Sequence, residues 1–502
     1  MCSESKDPLP EQDDTSPQHH DASVAHTVIN MAKTCMGTGC LALAFAAQQG
    51  GILLHIFGLL GLGIWNVVTV HKLCQCHSIV LALKEKATEM EVDEEARLLH
   101  SSSTATSTVY DSLEVPPKTI TASRKEHQLT KNEPPKGMTT LVQLAWYALG
   151  PWGAHLLDVI MVLYLIGVIV TYLNAMRSFL GDTPFTTGMG SVDSFLLVAI
   201  MGPLSVVPHT GHLAKASAMG LLVLVATFVV IAWYGFFVEN DDNSQTWHVL
   251  ASDSPMMENI NTTAQDSGSF WWPRAGMGGV SQWFGICVFG FGITPLAFSF
   301  RQAMQEPQQL VPATSWAMTL VALSYILLGV GLLIPFPNIQ GDVLHELPSV
   351  GWIPTLTRIS MVLVVLVTAP LLIVPCGELV EGKIASFWHH DDDDDEWTFH
   401  KTPWWLKATV RWSICLLCAA ISSFVPGFVN VLSFVGCCCV AVVGFCVPPF
   451  LHLILSVRFG LPRGSLSARS LACSIAMDTA LLVWGFLATV VSTVYTFWEL
   501  SA

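Results

Sequence analysis

Apolar runs alternate with polar or helix-breaking stretches along the whole chain, and most of them reach the roughly 20 residues an α-helix needs to cross a bilayer. Read against Gly, Pro and charge, the pattern predicts eleven spans, at 28–48, 51–81, 151–180, 192–208, 213–237, 280–300, 313–337, 352–380, 408–426, 430–455 and 470–497. The fourth is short, and little more than Pro426 and Gly427 divides the ninth from the tenth. The expected fold class is an all-α integral membrane protein.

The polar stretches divide the chain further. Residues 1–27 read as a disordered cytoplasmic tail, 28–81 and 139–500 as the transmembrane domain, and 82–138 as a flexible cytoplasmic loop inserted into it. That loop mixes charges with Ser101-Ser102-Ser103-Thr104 and Pro134-Pro135, buries too little apolar surface to fold alone, and suits phosphorylation. The run Asp391 to Asp395 with Glu396 lacks the alternating ligands and turn glycine of a calcium loop and reads as a solvated acidic segment. The first 22 residues are polar and acidic, without the basic and apolar regions of a cleavable signal peptide.

Composition sharpens the class. Hydrophobic residues make up 52% of the 502 and charged ones 12%, against about 25% charged in a soluble domain. A net charge of −15 argues against a nucleic-acid partner, which calls for concentrated Lys and Arg. Most of the fourteen cysteines lie in apolar spans, among them Cys415, Cys418, Cys437, Cys438, Cys439 and Cys446, where they act as small hydrophobic residues. Neither Cys415/Cys418 nor Cys74/Cys76 has further ligands at zinc spacing, so no metal and no cofactor is called for.

Loop charge sets the orientation. With a cytoplasmic N-terminus, 18 Lys and Arg fall on inner segments and three, Arg177, Arg274 and Arg358, on outer ones. The one Asn-x-Ser/Thr sequon, Asn261-Thr262-Thr263, then lies outside and makes Asn261 a glycosylation candidate. Trp271 and Trp272 on one side and Trp404 and Trp405 on the other fit interface belts.

Candidate chemistry sits where the spans break. Helix-breaking residues at membrane depth are tolerated where they are buried in protein or line a cavity. Span one carries Gly37-Thr38-Gly39, and span six carries Gly290-Phe291-Gly292-Ile293-Thr294-Pro295. Unwinding there frees backbone groups and half-helix ends that suit a ligand with both a carboxylate and an ammonium. Spans one and six are also five apart, as an inverted repeat of five plus five helices requires, with the eleventh appended. Close packing through small residues is the structural alternative.

At these positions the chain resembles the amino acid/auxin permease family of secondary transporters. The resemblance runs from Asn30-Met31-Ala32-Lys33-Thr34-Cys35-Met36-Gly37-Thr38-Gly39-Cys40-Leu41-Ala42-Leu43 through Phe45-Ala46 and Gly50-Gly51. It returns at Pro203-Leu204-Ser205 leading into Leu213, from Phe284-Gly285 to Met304, at Thr368-Ala369-Pro370 with Pro375, and from Arg411 through Pro426 and Gly436 to Pro448. It implies a LeuT-type fold of eleven helices with an amino acid bound between broken helices one and six. By that resemblance Thr34, Met36, Gly37, Thr38 and Gly39 hold the substrate's carboxylate and amine, and Phe289, Gly290, Phe291, Gly292 and Thr294 form the opposite wall. Span three contributes residues left open, with Tyr164 and Tyr172 as candidates.

The resemblance also bears on coupling. Sodium-coupled members carry Asn where this chain has Lys33, acting with a Thr on the eighth helix, here Thr368. An ammonium in the cation's place resembles the proton-coupled members, although Lys33 also lies close enough to the span end to snorkel. Those members carry an acid where Gly292 stands, and the smaller residue here leaves room for a larger ligand. Asp158, Asp478 and His452 are further intramembrane ionisable groups, able to relay protons or to pair internally; His209 and His212 fall at the inner interface.

The expected function is a secondary active amino acid transporter, proton-coupled, in a plasma or vacuolar/lysosomal membrane, with amino acid, coupling proton and lipid as partners. A sodium-coupled carrier and an amino-acid sensor that keeps the transporter fold remain alternatives. No filter-like repeat supports a channel, and no hydrolytic constellation in the spans supports an enzyme.

Overall fold

The computed structural model describes residues 22–103, 134, 138–206, 210–238, 271–274, 276–388, 403–425, 427–459 and 468–501. Asn261, His209, the acidic run at 391–396 and the tail before Ala22 lie outside them.

The first span is α1 (Val24–Cys35) and α2 (Leu43–Gly50), joined by a 3-10 turn at Thr38–Ala42. Ser23 caps α1, its hydroxyl accepting from the His26 N–H. Gly51 turns the chain into α3 (Ile52–Ser103) with φ +77, a conformation that favours glycine, and a Cβ there would lie 2.6 Å from the Trp272 backbone. Helix α3 continues past position 82, where the sequence places a loop, to Ser103. A short helix that the hydrophobic pattern does not announce, α4 (Thr140–Leu149), leads into α5 (Pro151–Gly181), α6 (Gly190–Val206) and α7 (Thr210–Trp233).

The second half begins with α8 (Gly276–Gly290) and α9 (Ala297–Ala303), separated by six residues that include a 3-10 turn at Thr294–Leu296. It continues through α10 (Leu310–Leu333), α11 (Trp352–Thr368) and α12 (Pro370–Trp388), with α11 and α12 parted at Ala369. It closes with α13 (Trp404–Phe424), α14 (Phe428–Val435), two wide π turns at Gly436–Val440 and Val442–Cys446, α15 (Val447–Phe459) and α16 (Ala468–Ser501).

Among the described residues nine helices are long and apolar enough to cross a membrane, and the pair Val24–Cys35 and Thr38–Gly50, bent by 55°, makes a tenth if counted as one span. Helix α6, where the fourth span is expected, has 17 residues, about 26 Å at 1.5 Å per residue and short of the roughly 30 Å hydrocarbon core. No strand occurs among the described residues; an isolated bridge joins Ala22 to Met304. The chain is an all-α integral membrane protein.

Packing is tightest where glycines let backbones touch. Helix α8 lies against α2, α14 and α16, and a Cβ on Gly436 would fall 1.9 Å from the Gly285 carbonyl oxygen. That is the close approach of small residues typical of membrane helix pairs. Helix α10 packs on α1, α2 and α3, and α5 on α4, α11, α12, α13 and α14. Buried charges are paired: Arg411 meets Glu381 at 3.1 Å and donates to the Ser205 carbonyl, tying α13 to α12 and α6. Asp158 meets Lys383 at 2.7 Å.

Candidate functional site

The two breaks meet at the centre of the bundle. The first opens at Cys35: the Gly37 N–H donates to the Cys35 carbonyl at 2.8 Å, and the Cys40 N–H to the Gly37 carbonyl at 3.1 Å as the chain restarts. Gly37 itself is extended, with φ −106 and ψ −160, so its conformation does not demand glycine. What it leaves is room, since a Cβ there would meet only the Tyr172 hydroxyl, at 3.9 Å.

The second opens at Gly290. The Phe291 N–H is shared between the Cys287 and Val288 carbonyls, and the Ile293 N–H donates to the Phe291 carbonyl at 2.7 Å. A Cβ on Gly292 would lie 3.2 Å from Val440 Cγ1 and 3.7 Å from the Tyr164 hydroxyl. The space that the sequence reading assigns to a larger ligand beside Gly292 is therefore occupied in that direction by Val440, from the first wide turn of span ten.

Tyr325, wholly buried on α10, joins the breaks. Its hydroxyl faces the Cys35 carbonyl at 2.7 Å and the Gly290 carbonyl at 3.1 Å, the C-terminal ends of α1 and α8, where helix dipoles concentrate partial negative charge. Gly290 makes this possible: a Cβ there would sit 2.7 Å from the Tyr325 ring. Phe291, also buried, packs edge-on to the same ring with centroids 5.4 Å apart.

Of the residues expected at the site, the structure gathers most. Met36, Gly37, Phe289 and Gly292 keep partial exposure inside the bundle, as do Tyr164 and Tyr172, which stand two helical turns apart on α5 and face one break each. Phe289 lies against Gly39, its Cδ1 3.3 Å from where a Cβ would be. The hydroxyls of Thr38 and Thr294 are buried with no hydrogen-bond partner among the described residues, leaving one unspent polar group at each break.

Others stand apart. Gly290 and Phe291 serve the Tyr325 contact, and Thr34 is exposed with its hydroxyl donating to the Asn30 carbonyl at 2.8 Å. Lys33, in the last turn of α1, is half-buried and makes no ion pair among the described residues. Thr368 ends α11 and donates to the Val364 carbonyl at 2.7 Å. Tyr325 is not among the residues that the sequence singles out, though it carries a signal: the one tyrosine inside a 24-residue apolar helix of a chain with only seven tyrosines. A buried Tyr hydroxyl needs a partner.

The family model described as transmembrane amino acid transporter protein matches residues 20–90 and 126–498, leaving out 91–125 within the expected insertion. Arabidopsis thaliana supplies relatives: amino acid transporter AVT3A is 22% identical over 63% of this chain and 66% of its own length. Amino acid transporter AVT3C is 24% identical over 42% of each chain, and amino acid transporter ANT1 24% over 36% of this chain and 42% of its own. The aligned parts thus span from about two fifths to just under two thirds of these relatives. Both the family and the relatives are transporters rather than enzymes. With the match extending over most of its length, the chain belongs to the transmembrane amino acid transporter protein family.

Proposed function

We propose that this protein is a secondary active carrier of amino acids, driven by protons, that works by alternating access around the two breaks. The observation that carries the reading is the convergence of the Cys35 and Gly290 chain ends on Tyr325, beside the Tyr164 and Tyr172 hydroxyls. Carbonyl ends suit the substrate ammonium, and the freed N–H groups at Thr38 and Gly39 suit its carboxylate. The printed names of the relatives agree with amino acids as substrates.

Protons are favoured over sodium because Lys33 places an ammonium where the sodium-coupled relatives in the resembled family use Asn. The membrane is the plasma or vacuolar/lysosomal membrane, with the N-terminus cytoplasmic as loop charge directs. Uptake of a radiolabelled amino acid mixture into proteoliposomes, under an imposed proton or sodium gradient, tests the reading. Proton-driven accumulation is expected. Sodium-driven accumulation would keep the carrier and overturn the coupling, and amino acid binding without flux under either gradient would replace the carrier with a sensor.

A further inference from the structure

Three ionisable side chains that the central cleft does not use meet where α15 packs on α3 and α16. Lys72 on α3, His452 on α15 and Asp478 on α16 are all buried. One carboxylate serves two partners: Asp478 Oδ1 lies 2.9 Å from the Lys72 ammonium and Oδ2 lies 2.5 Å from His452 Nδ1. Lys72 also reaches the Ser474 hydroxyl at 3.3 Å.

The roles of the two ring nitrogens follow from these contacts. Nδ1 against a carboxylate carries an imidazole proton, so Nε2 is the ring nitrogen at which a proton can be gained or lost. The other ring nitrogen, Nε2, meets only the Ser456 hydroxyl, at 3.4 Å, among the described residues. It is a lone pair open to a further proton.

No other described imidazole in the spans is placed this way. His55 is equally buried, but Trp283 Nε1 donates to its Nδ1 at 3.2 Å while Nε2 meets the Tyr325 carbonyl at 3.3 Å, so an added proton would oppose the tryptophan N–H. His77 lies against the Arg301 guanidinium and His155 against the Lys383 ammonium, so neither faces a carboxylate as His452 does. Around the triad, α3 also presents His71, within Coulomb range of Lys72 and His452, and Cys76, near Asp478 and Lys72. Helix α4, packed on α15, presents Tyr147.

We infer that His452 Nε2 is the site where the driving proton binds, with Asp478 as its counter-charge and Lys72 as the cation that it displaces. This rests on the proton-driven reading above. The step takes one proton from water onto the Nε2 lone pair and raises the cluster from net zero to +1, leaving two cations to share one carboxylate. Such a site does not hold both tightly when desolvated, so the clamp of α16 on α3 loosens. Span ten carries the change onward: α15 continues from the wide turns that place Val440 over Gly292 and Gly436 on Gly285.

The test uses the full chain in proteoliposomes, reading accumulation under a pH gradient and substrate exchange at equal pH on both sides. In His452→Asn the amide nitrogen replaces Nδ1 as donor to Asp478 and nothing replaces Nε2. Accumulation is expected to fall at least about tenfold with exchange retained within about twofold. Accumulation at the wild-type level, or equal loss of both readouts, overturns the proposal, the latter marking a structural anchor. Lys72→Met supplies an independent arm: with its competitor gone the proton is held more firmly, and half-maximal accumulation shifts to higher pH by about one unit or more. An unchanged pH profile overturns the proposal. Failure of the proton-driven reading itself shows separately, in the wild-type arm, as no response to the gradient.

Discussion

Tyr325 donates its hydroxyl to the carbonyl of Cys35 at 2.7 Å, 290 residues away in the chain, with the Gly290 carbonyl of the second break at 3.1 Å. One O–H thus holds the ends of two half-helices together. Tyr325→Phe leaves those buried carbonyls without their shared donor at a cost of about 1–3 kcal/mol. Thermal unfolding in detergent should show lower stability, and uptake should fall. An unchanged melting temperature together with unchanged uptake would remove Tyr325 from the site.

Gly37 has space around it and Gly39 has little, so replacements should differ. Gly37→Ala adds a Cβ that meets only the Tyr172 hydroxyl at 3.9 Å, whereas Gly39→Ala pushes on Phe289 at 3.3 Å. Gly37→Leu fills the cleft, and uptake should fall at least about tenfold, equivalent to about 1.4 kcal/mol, with the protein still folded in the membrane. Cell-surface or vesicle quantification beside uptake separates the two effects. Normal uptake by both Gly37→Leu and Gly39→Leu would sink the assignment.

Glycine matters differently at the contact between α8 and the wide turn that follows α14. A Cβ on Gly436 collides with backbone, 1.9 Å from the Gly285 oxygen, and neither chain can rotate aside. Gly436→Ala should lose more than the about 1–3 kcal/mol of ordinary overpacking and yield little monodisperse protein on size exclusion. Gly61→Ala, with nothing within 4 Å, is the control and should behave as wild type.

In the loop between α10 and α11, the buried Asp342 accepts from the Ser178 hydroxyl at 2.8 Å and from the Leu344 N–H at 3.0 Å. Burial raises its carboxyl above the usual 3.8, against the opposing pull of His345 and Ser178. The folded chain then holds this proton after the unfolded chain has released it, so this group's contribution to stability falls as pH climbs above 3.8. Asp342→Asn keeps an acceptor and removes the titration. Melting temperatures of both proteins from acid to neutral pH should show the wild type losing ground to the variant as pH rises, and the opposite slope would refute this.

Much of the architecture is legible in the amino-acid order because the bilayer leaves few choices. A stretch of apolar residues without charge must satisfy its backbone as a helix, which is why the long runs become helices and why Gly37-Thr38-Gly39 and Gly290 to Pro295 mark the interruptions. The family resemblance at those residues led in the same direction as the family match. Periodicity did not announce α4, whose ten residues are too few to stand out as a span, nor the run of α3 to Ser103 through a polar stretch.

What the chain order could not decide are meetings between distant residues. Asp478 and His452 are visible in the sequence as ionisable residues within spans, but that Lys72 joins them, 406 positions before Asp478, depends on α3, α15 and α16 packing together. Val440 closing over Gly292 and Tyr325 spanning both breaks are likewise products of helix packing. The sequence by itself determined a bundle of membrane helices with two weak points, through hydrophobic length and helix-breaking residues. Tertiary structure alone decided which polar groups occupy those weak points, because side-chain contacts between helices depend on their relative rotation and depth, which no local pattern encodes.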